Sequence, residues 1–154
     1  DVLHLSGDIE GISPLEVQEL KNRFPGLKIM QAIPVLSGVP LEEQKIMQYI
    51  KEYEPVSDFF LIDTKAPMAG DIGATGLTHD REIDRVIVEV QRCHALLAGG
   101  LDADNVAEAI HVTHPYGVDS FSLTNYDDER ADTLHCKDPA KVKAFYRGFT
   151  ECIM

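Results

Sequence analysis

Apolar residues along this chain fall into short unbroken runs. Longer stretches separate them, in which apolar positions recur every three or four residues. The unbroken runs at residues 2–5, 28–35, 58–62, 95–98 and 117–123 predict five strands. Most are apolar throughout rather than alternating, as expected of strands covered on both faces. Between them the helical period returns. Ser13-Pro14-Leu15-Glu16 predicts a capping box with proline at the first helical position. That helix should carry Leu15, Val17 and Leu20 and stop at Pro25-Gly26. Residues 40–53 predict a second helix, with Ile46, Tyr49, Ile50 and Tyr53 at helical spacing. Residues 82–92, entered through Thr78-His79-Asp80, predict a third, and residues 104–112 a fourth. Asp138-Pro139 opens a last one, with Val142, Phe145, Tyr146 and Phe149 on one stripe. Strands alternating with helices along a whole chain imply an α/β fold built on a parallel sheet or barrel. No second domain, internal linker or low-complexity tract interrupts the pattern, so residues 1–154 read as a single domain.

The number of units narrows the architecture. A complete eight-stranded barrel typically needs ~250 residues, and this chain has 154. Two forms fit: an open, doubly wound five-stranded sheet, or five-eighths of a TIM barrel. The chain begins at Asp1 and enters an apolar run at once, which reads as a cut at a strand boundary. An open sheet complete as written would expose an apolar edge at Val2 and should dimerise or aggregate.

Composition restricts the partners. Hydrophobic residues make up 44% and charged residues 26%, as in an ordinary soluble domain. A formal charge of −12 argues against nucleic acid and anionic membranes, both of which need a basic surface. No apolar run reaches the ~18 residues of a membrane span, and no signal peptide is visible. Cys93, Cys136 and Cys152 are odd in number and match no metal or redox spacing, which favours a reducing cytoplasm.

The densest chemical signal is Leu97-Ala98-Gly99-Gly100-Leu101-Asp102-Ala103-Asp104-Asn105-Val106. An apolar strand runs into two glycines and then a helix. The glycines let backbone approach a bound group, and the helix start offers unpaired N–H donors, so the segment predicts a phosphate site. The alternative is a tight turn that needs glycine for geometry alone. The histidines are weaker signals. His111-x-x-His114, with His135-Cys136 further on, lacks the carboxylate partners of a typical metal site, so no metal is expected. His111 suits a helix C-terminus, His4 suits packing inside a barrel, and His79 is the best candidate for ligand contact. The acidic run Asp127-Asp128-Glu129 reads as a solvated loop.

An ordered set of segments carries a family resemblance. It runs Leu3-His4-Leu5-Ser6-Gly7, Phe60-Leu61-Ile62-Asp63-Thr64, Gly73-Ala74-Thr75-Gly76, Leu97-Ala98-Gly99-Gly100-Leu101 with Asn105-Val106, Gly117-Val118-Asp119, and Lys137-Asp138. Together these resemble the phosphoribosylanthranilate isomerase family of tryptophan biosynthesis, in a divergent, archaeal-like branch. The resemblance implies an eight-fold β/α barrel of which this chain supplies strands 4–8. It implies an Amadori rearrangement of a phosphorylated aminoaldose to a ketose, without a cofactor or metal. The general acid would be Asp63, at the carboxyl end of a buried strand where desolvation raises a carboxyl pKa. The family's base, a cysteine on the first strand, and an arginine near the second lie in regions outside this sequence. None of the three cysteines aligns with that base, so this stretch by itself should not catalyse the reaction.

In the family, the loops after the seventh and eighth strands hold the substrate phosphate. Gly99 and Gly100 match the first loop. In the second, Ser122 keeps a hydroxyl, Leu123 stands where a glycine is expected, and Asn125 replaces a glutamate. Thr75 and Gly76 belong to a glycine loop, residues 71–77, whose family role is to close over the substrate. A phosphorylated small molecule is therefore the expected partner, with a homo-oligomer as a further option. Leu123 and Asn125 keep a second reading open: a non-catalytic barrel relative that binds a phosphorylated ligand or a protein partner.

Overall fold

The structure is a computed structural model that describes residues 1–65, 79–128 and 135–153. Five strands, β1 (Val2–Leu5), β2 (Lys28–Leu36), β3 (Phe59–Lys65), β4 (His94–Leu97) and β5 (Gly117–Val118), form one sheet. Every pairing is parallel, and the strand order is β1-β2-β3-β4-β5. Among the described residues these α-helices lie between and after them: α1 (Pro14–Arg23), α2 (Ile46–Tyr53), α3 (Arg81–Val90), α4 (Val106–Thr113) and α5 (Pro139–Ile153).

The order of strands decides between the two architectures. A doubly wound sheet reverses direction at a switch point and carries helices on both faces. Here each strand pairs with the next in sequence, without reversal. One face, carrying Ile33, Phe60, Ile62 and Leu97, packs into a single core with Ile46, Ile50, Ile83 and Ile87 from the helices. Phe60, Ile62 and Leu97 are fully buried, worth about 1.5–3 kcal/mol each. By strand register the other face carries Ala32, Leu61 and Leu96 in one row, with Pro34 and Asp63 paired above them. Strands paired in sequence order, without a switch point, do not form a doubly wound sheet, so that alternative is not met.

Local chemistry explains most element boundaries. The capping box forms as expected: the Ser13 hydroxyl accepts from Glu16 N–H, and the Glu16 carboxylate accepts from Ser13 N–H at 2.8 Å. α1 buries Val17 but leaves Leu15 78% exposed, so its core-facing stripe is narrower than the apolar spacing suggests. The helix expected over residues 40–53 divides into a 3₁₀ turn (Leu41–Glu43) and α2. Gln44 interrupts it in extended conformation. Its amide oxygen accepts from Leu36 N–H at 2.7 Å and its NH₂ donates to Val39 O at 2.7 Å. Those bonds to the end of β2 replace a helical turn.

The last strand is also shorter than residues 117–123. β4 ends at Leu97, so the backbone beyond Asp119, whose N–H donates to Leu97 O, has no β4 residue to pair with. The Ser120 hydroxyl donates to Leu101 O at 2.6 Å and turns the chain into a 3₁₀ segment, Ser122–Thr124. Of the apolar stripe expected on α5, Phe145 packs against the core while Val142 and Tyr146 are exposed. Gly148 explains how α5 sits so close to α4. A Cβ there would meet Val106 Cγ1 at 2.7 Å.

Candidate active site

The carboxyl ends of β3, β4 and β5 surround a small open recess, lined by Asp63, Gly99, Gly100, Asp119, Ser122 and Leu123 among others. Parallel strands deliver these residues because their C-terminal ends all open on one side of the sheet.

Asp63 comes from the end of β3. Burial pushes its carboxyl up to about 6. The Thr64 N–H, which donates to Asp63 Oδ1 at 2.8 Å, pulls the other way. The charge of Asp119 raises Asp63 further, and His79 lowers it. Among the described residues no lysine or arginine pairs with this carboxylate. Its proton can therefore be held or given up near neutral pH, as a general acid requires.

The turn after β4 supplies the second part of the site. Ala98 N–H donates to Ile62 O at 2.8 Å, which ties the turn to β3. Gly99 and Gly100 then take φ of +80° and +64°, a region that side chains rarely enter. A Cβ on Gly99 would also meet Thr64 Oγ1 at 2.2 Å. Glycine is thus required both by geometry and by close approach, so the two sequence readings of this segment describe the same turn. Among the described residues neither glycine N–H is taken up by a hydrogen bond. The start of α4 differs from expectation. Asp102 Oδ1 accepts from Asp104 N–H at 2.9 Å and from Asn105 N–H at 3.2 Å. Asp102 thus ties up the two N–H groups just ahead of α4, while the helix itself carries no side-chain cap. Asn105 anchors the turn instead, since its NH₂ donates to Gly100 O at 2.8 Å.

The segment after β5 closes the recess. Ser122 lies on its wall, beside Leu123. Asn125 is buried and pairs antiparallel with Lys137 in an isolated bridge. Lys137 Nζ donates to Thr124 Oγ1 at 3.1 Å and to Phe121 O, and sits 4.3 Å from the Phe121 ring centroid.

Asp63, Gly99, Gly100 and Ser122 therefore meet in one recess, whereas Thr75 and Gly76 lie outside the described residues. Asp119 is a site residue that sequence reasoning left without a role. The signal was present, since it is an aspartate ending an apolar strand, as Asp63 is. His79 is a correction. It was expected to touch ligand, but its side chain is fully buried behind the recess, between Thr64 and Asp84. The cause is the packing of α3, which draws the imidazole inward. His4 lies on the edge strand β1 with its side chain part-exposed, and burial lowers its imidazole pKa.

Cys93 donates to the carbonyls of Glu54 and Ser57, and burial pushes its thiol up to about 11, so near neutral pH it stays protonated and cannot take up a proton. Cys136 and Cys152 are free thiols away from the recess lining. His111 lies in the last turn of α4, as expected, with its ring 6.2 Å from that of His114. Among the described residues no group of three metal-ligating side chains comes together.

Comparison with known proteins supports the same conclusion as the geometry. The family model for N-(5'phosphoribosyl)anthranilate (PRA) isomerase matches residues 15–123. The N-(5'-phosphoribosyl)anthranilate isomerase of Methanothrix thermoacetophila is 34% identical over 152 residues, covering 99% of this chain and 62% of the relative. A second such relative, from Methanosarcina mazei, is 39% identical over 103 residues, covering 67% of this chain and 43% of its own length. Among solved structures, the isomerase of Pyrococcus furiosus superposes with a TM-score of 0.63 at 29% identity, covering 90% of this chain and 58% of that one. The isomerase of Thermococcus kodakaraensis gives a TM-score of 0.68 at 26% identity, covering 96% and 62%. The chain thus spans less than two thirds of the length of each of these relatives. With the fold, the recess and the family model in agreement, this chain belongs to the phosphoribosylanthranilate isomerase family.

Proposed function

We propose that this chain supplies strands 4–8, the acid and the phosphate turn of a phosphoribosylanthranilate isomerase. The reaction is the Amadori rearrangement of N-(5'-phosphoribosyl)anthranilate in tryptophan biosynthesis. The observation that carries the reading is Asp63, a carboxyl raised to about 6 beside two glycines with unpaired N–H groups.

In this reading the substrate phosphate rests on the Gly99 and Gly100 amides, with Ser122 on the wall of the same recess. Backbone donors suit an anion in a protein of net charge −12, because they bind without needing a cationic side chain. The phosphate fixes one end of the sugar and brings the ring oxygen to Asp63. Asp63 donates its proton to that oxygen as the C1–O bond breaks, leaving a protonated imine at C1. Loss of the C2 proton to a base then gives the enolamine, which tautomerises to the ketose. The family resemblance assigns that base to a first-strand cysteine, and the raised thiol of Cys93 does not suit the role.

The test is an isomerase assay of the full-length protein against its Asp63→Asn variant. Loss of a positioned general acid should lower kcat by about 10²–10⁴-fold. In the wild type, kcat/KM should fall as pH rises above about 6, where Asp63 loses its proton. A variant within tenfold of wild type would overturn the assignment of Asp63.

A further inference from the structure

Behind the recess lies a ring of polar groups, buried except for the partly exposed Arg81, none of which is among the residues that line it. Thr64 Oγ1 and His79 Nδ1 are hydrogen-bonded at 2.7 Å. His79 Nε2–H donates to Asp84 Oδ1, and both side chains are fully buried. Arg81 Nη1 donates to Asp84 Oδ2 at 3.0 Å and to Ala98 O at 3.4 Å, while Nη2 donates to Gly99 O at 2.9 Å. Thr64 closes the ring, because its hydroxyl lies where a Gly99 Cβ would be. Its own N–H meanwhile holds the Asp63 carboxylate. One network thus touches both the acid and the glycine turn from their far side.

The direction of these bonds matters. A trans peptide is planar, with its C=O and N–H pointing opposite ways, and among the described residues there is no cis peptide. A guanidinium that holds the carbonyls of Ala98 and Gly99 therefore turns the N–H groups of Gly99 and Gly100 away from Arg81, towards the recess. Glycine leaves φ and ψ almost unrestrained. Without the clamp the two peptide planes could rotate, and the donors would no longer converge. An arginine fork suits this role better than lysine, because it reaches the carboxylate and both carbonyls in one plane.

We propose that Arg81, Asp84, His79 and Thr64 form a buried clamp that aims the Gly99 and Gly100 N–H groups into the recess and fixes their separation from Asp63. These are positioning residues for the anion-binding turn, and the inference rests on the reading of that turn as a phosphate site. Burying a His–Asp–Arg cluster is not required for stability alone, since hydrophobic residues of equal volume are often neutral or better. Preorganising a binding turn gives a reason to keep it.

The test uses the full chain labelled with ¹⁵N, with inorganic phosphate as probe. In the wild type, phosphate should shift the Gly99 and Gly100 amide resonances. Thr64→Val removes the hydroxyl at nearly constant volume, and Arg81→Met removes the fork from a partly exposed position. Both should move the two glycine resonances without ligand, speed their hydrogen exchange, and weaken phosphate binding about tenfold. Thr64→Ser should restore all three readings, whereas Arg81→Lys should not. A purely structural role would lower the melting temperature while leaving phosphate affinity and the glycine amides of the folded protein unchanged. Thr64→Val and Arg81→Met proteins with wild-type glycine resonances and phosphate affinity would overturn the clamp. A wild-type chain whose glycine amides ignore phosphate would instead overturn the phosphate site. The clamp is then judged by the ligand-free resonances and exchange rates, and unchanged values there overturn it as well.

Discussion

Two aspartates mark the two ends of β3, and their environments are opposite. Asp58, just before the strand, accepts from Lys21 Nζ at 2.9 Å, Lys28 Nζ at 3.0 Å and Ile29 N–H at 2.9 Å. Burial acts to raise it, but the amide and the two ammonium groups outweigh burial and bring it to about 2. Asp63, near the far end, is raised by burial to about 6 and has one amide donor and an acidic neighbour. One carboxylate is fully satisfied and the other is kept under-satisfied. The difference separates the two ends of the fold. The amino ends of the strands are held together by matched charge, and the carboxyl ends keep a group whose proton can move.

The comparison can be broken most severely at the turn that Asp63 faces. Gly99→Ala places a Cβ at 2.2 Å from Thr64 Oγ1 and forces a side chain to φ +80°. The expected loss of stability is about 3 kcal/mol, from backbone strain plus the clash, measured by urea denaturation. A loss under 1 kcal/mol would mean that the turn relaxes freely.

Asp58→Asn comes next. A depressed carboxyl contributes stability above its unfolded pKa, and that contribution is lost as pH falls through the folded value near 2. The variant should cost about 2 kcal/mol at pH 7 and almost nothing at pH 2. A cost that persists unchanged into acid would point to packing rather than charge.

Asp63→Asn should act in the opposite direction and more weakly. A carboxyl raised to about 6 binds its proton more tightly in the folded state, so the wild type loses stability as pH rises from 4 through 6. The variant avoids that loss. It should be about 1–2 kcal/mol more stable than wild type at pH 8, allowing for solvent screening, and equal to it at pH 4. Denaturation midpoints of both proteins across this range would decide, and a variant that is less stable at pH 8 would remove the functional contrast between the two aspartates.

Much of this arrangement was legible from residue order. The capping box at Ser13 and Glu16 depends on side chains three positions apart, and it forms as the spacing implies. Gly99 and Gly100 could be named from the strand-to-helix turn, and Asp63 and Ser122 from the family resemblance; parallel topology gathers such positions at one edge. Errors arose where distant backbone competed with local propensity. Gln44 left its helix to bond the end of β2, and the residues at 104 and 105, expected to open the fourth helix, became a turn held by Asp102 ahead of α4. His79 stood beside a glycine loop in sequence, yet packing of α3 turned it inward.

Local order by itself determined the alternation of strands and helices, the caps, and the glycines where the chain must take positive φ. Those features depend on the chain's own periodicity and steric limits within a few residues. Only the tertiary structure decided that the strands wind in one direction, that Asp58 is satisfied while Asp63 is not, and that Arg81, Asp84, His79 and Thr64 meet behind the glycine turn. Each of those outcomes depends on groups from separate elements sharing a low-dielectric space, and sequence separation carries no measure of that proximity.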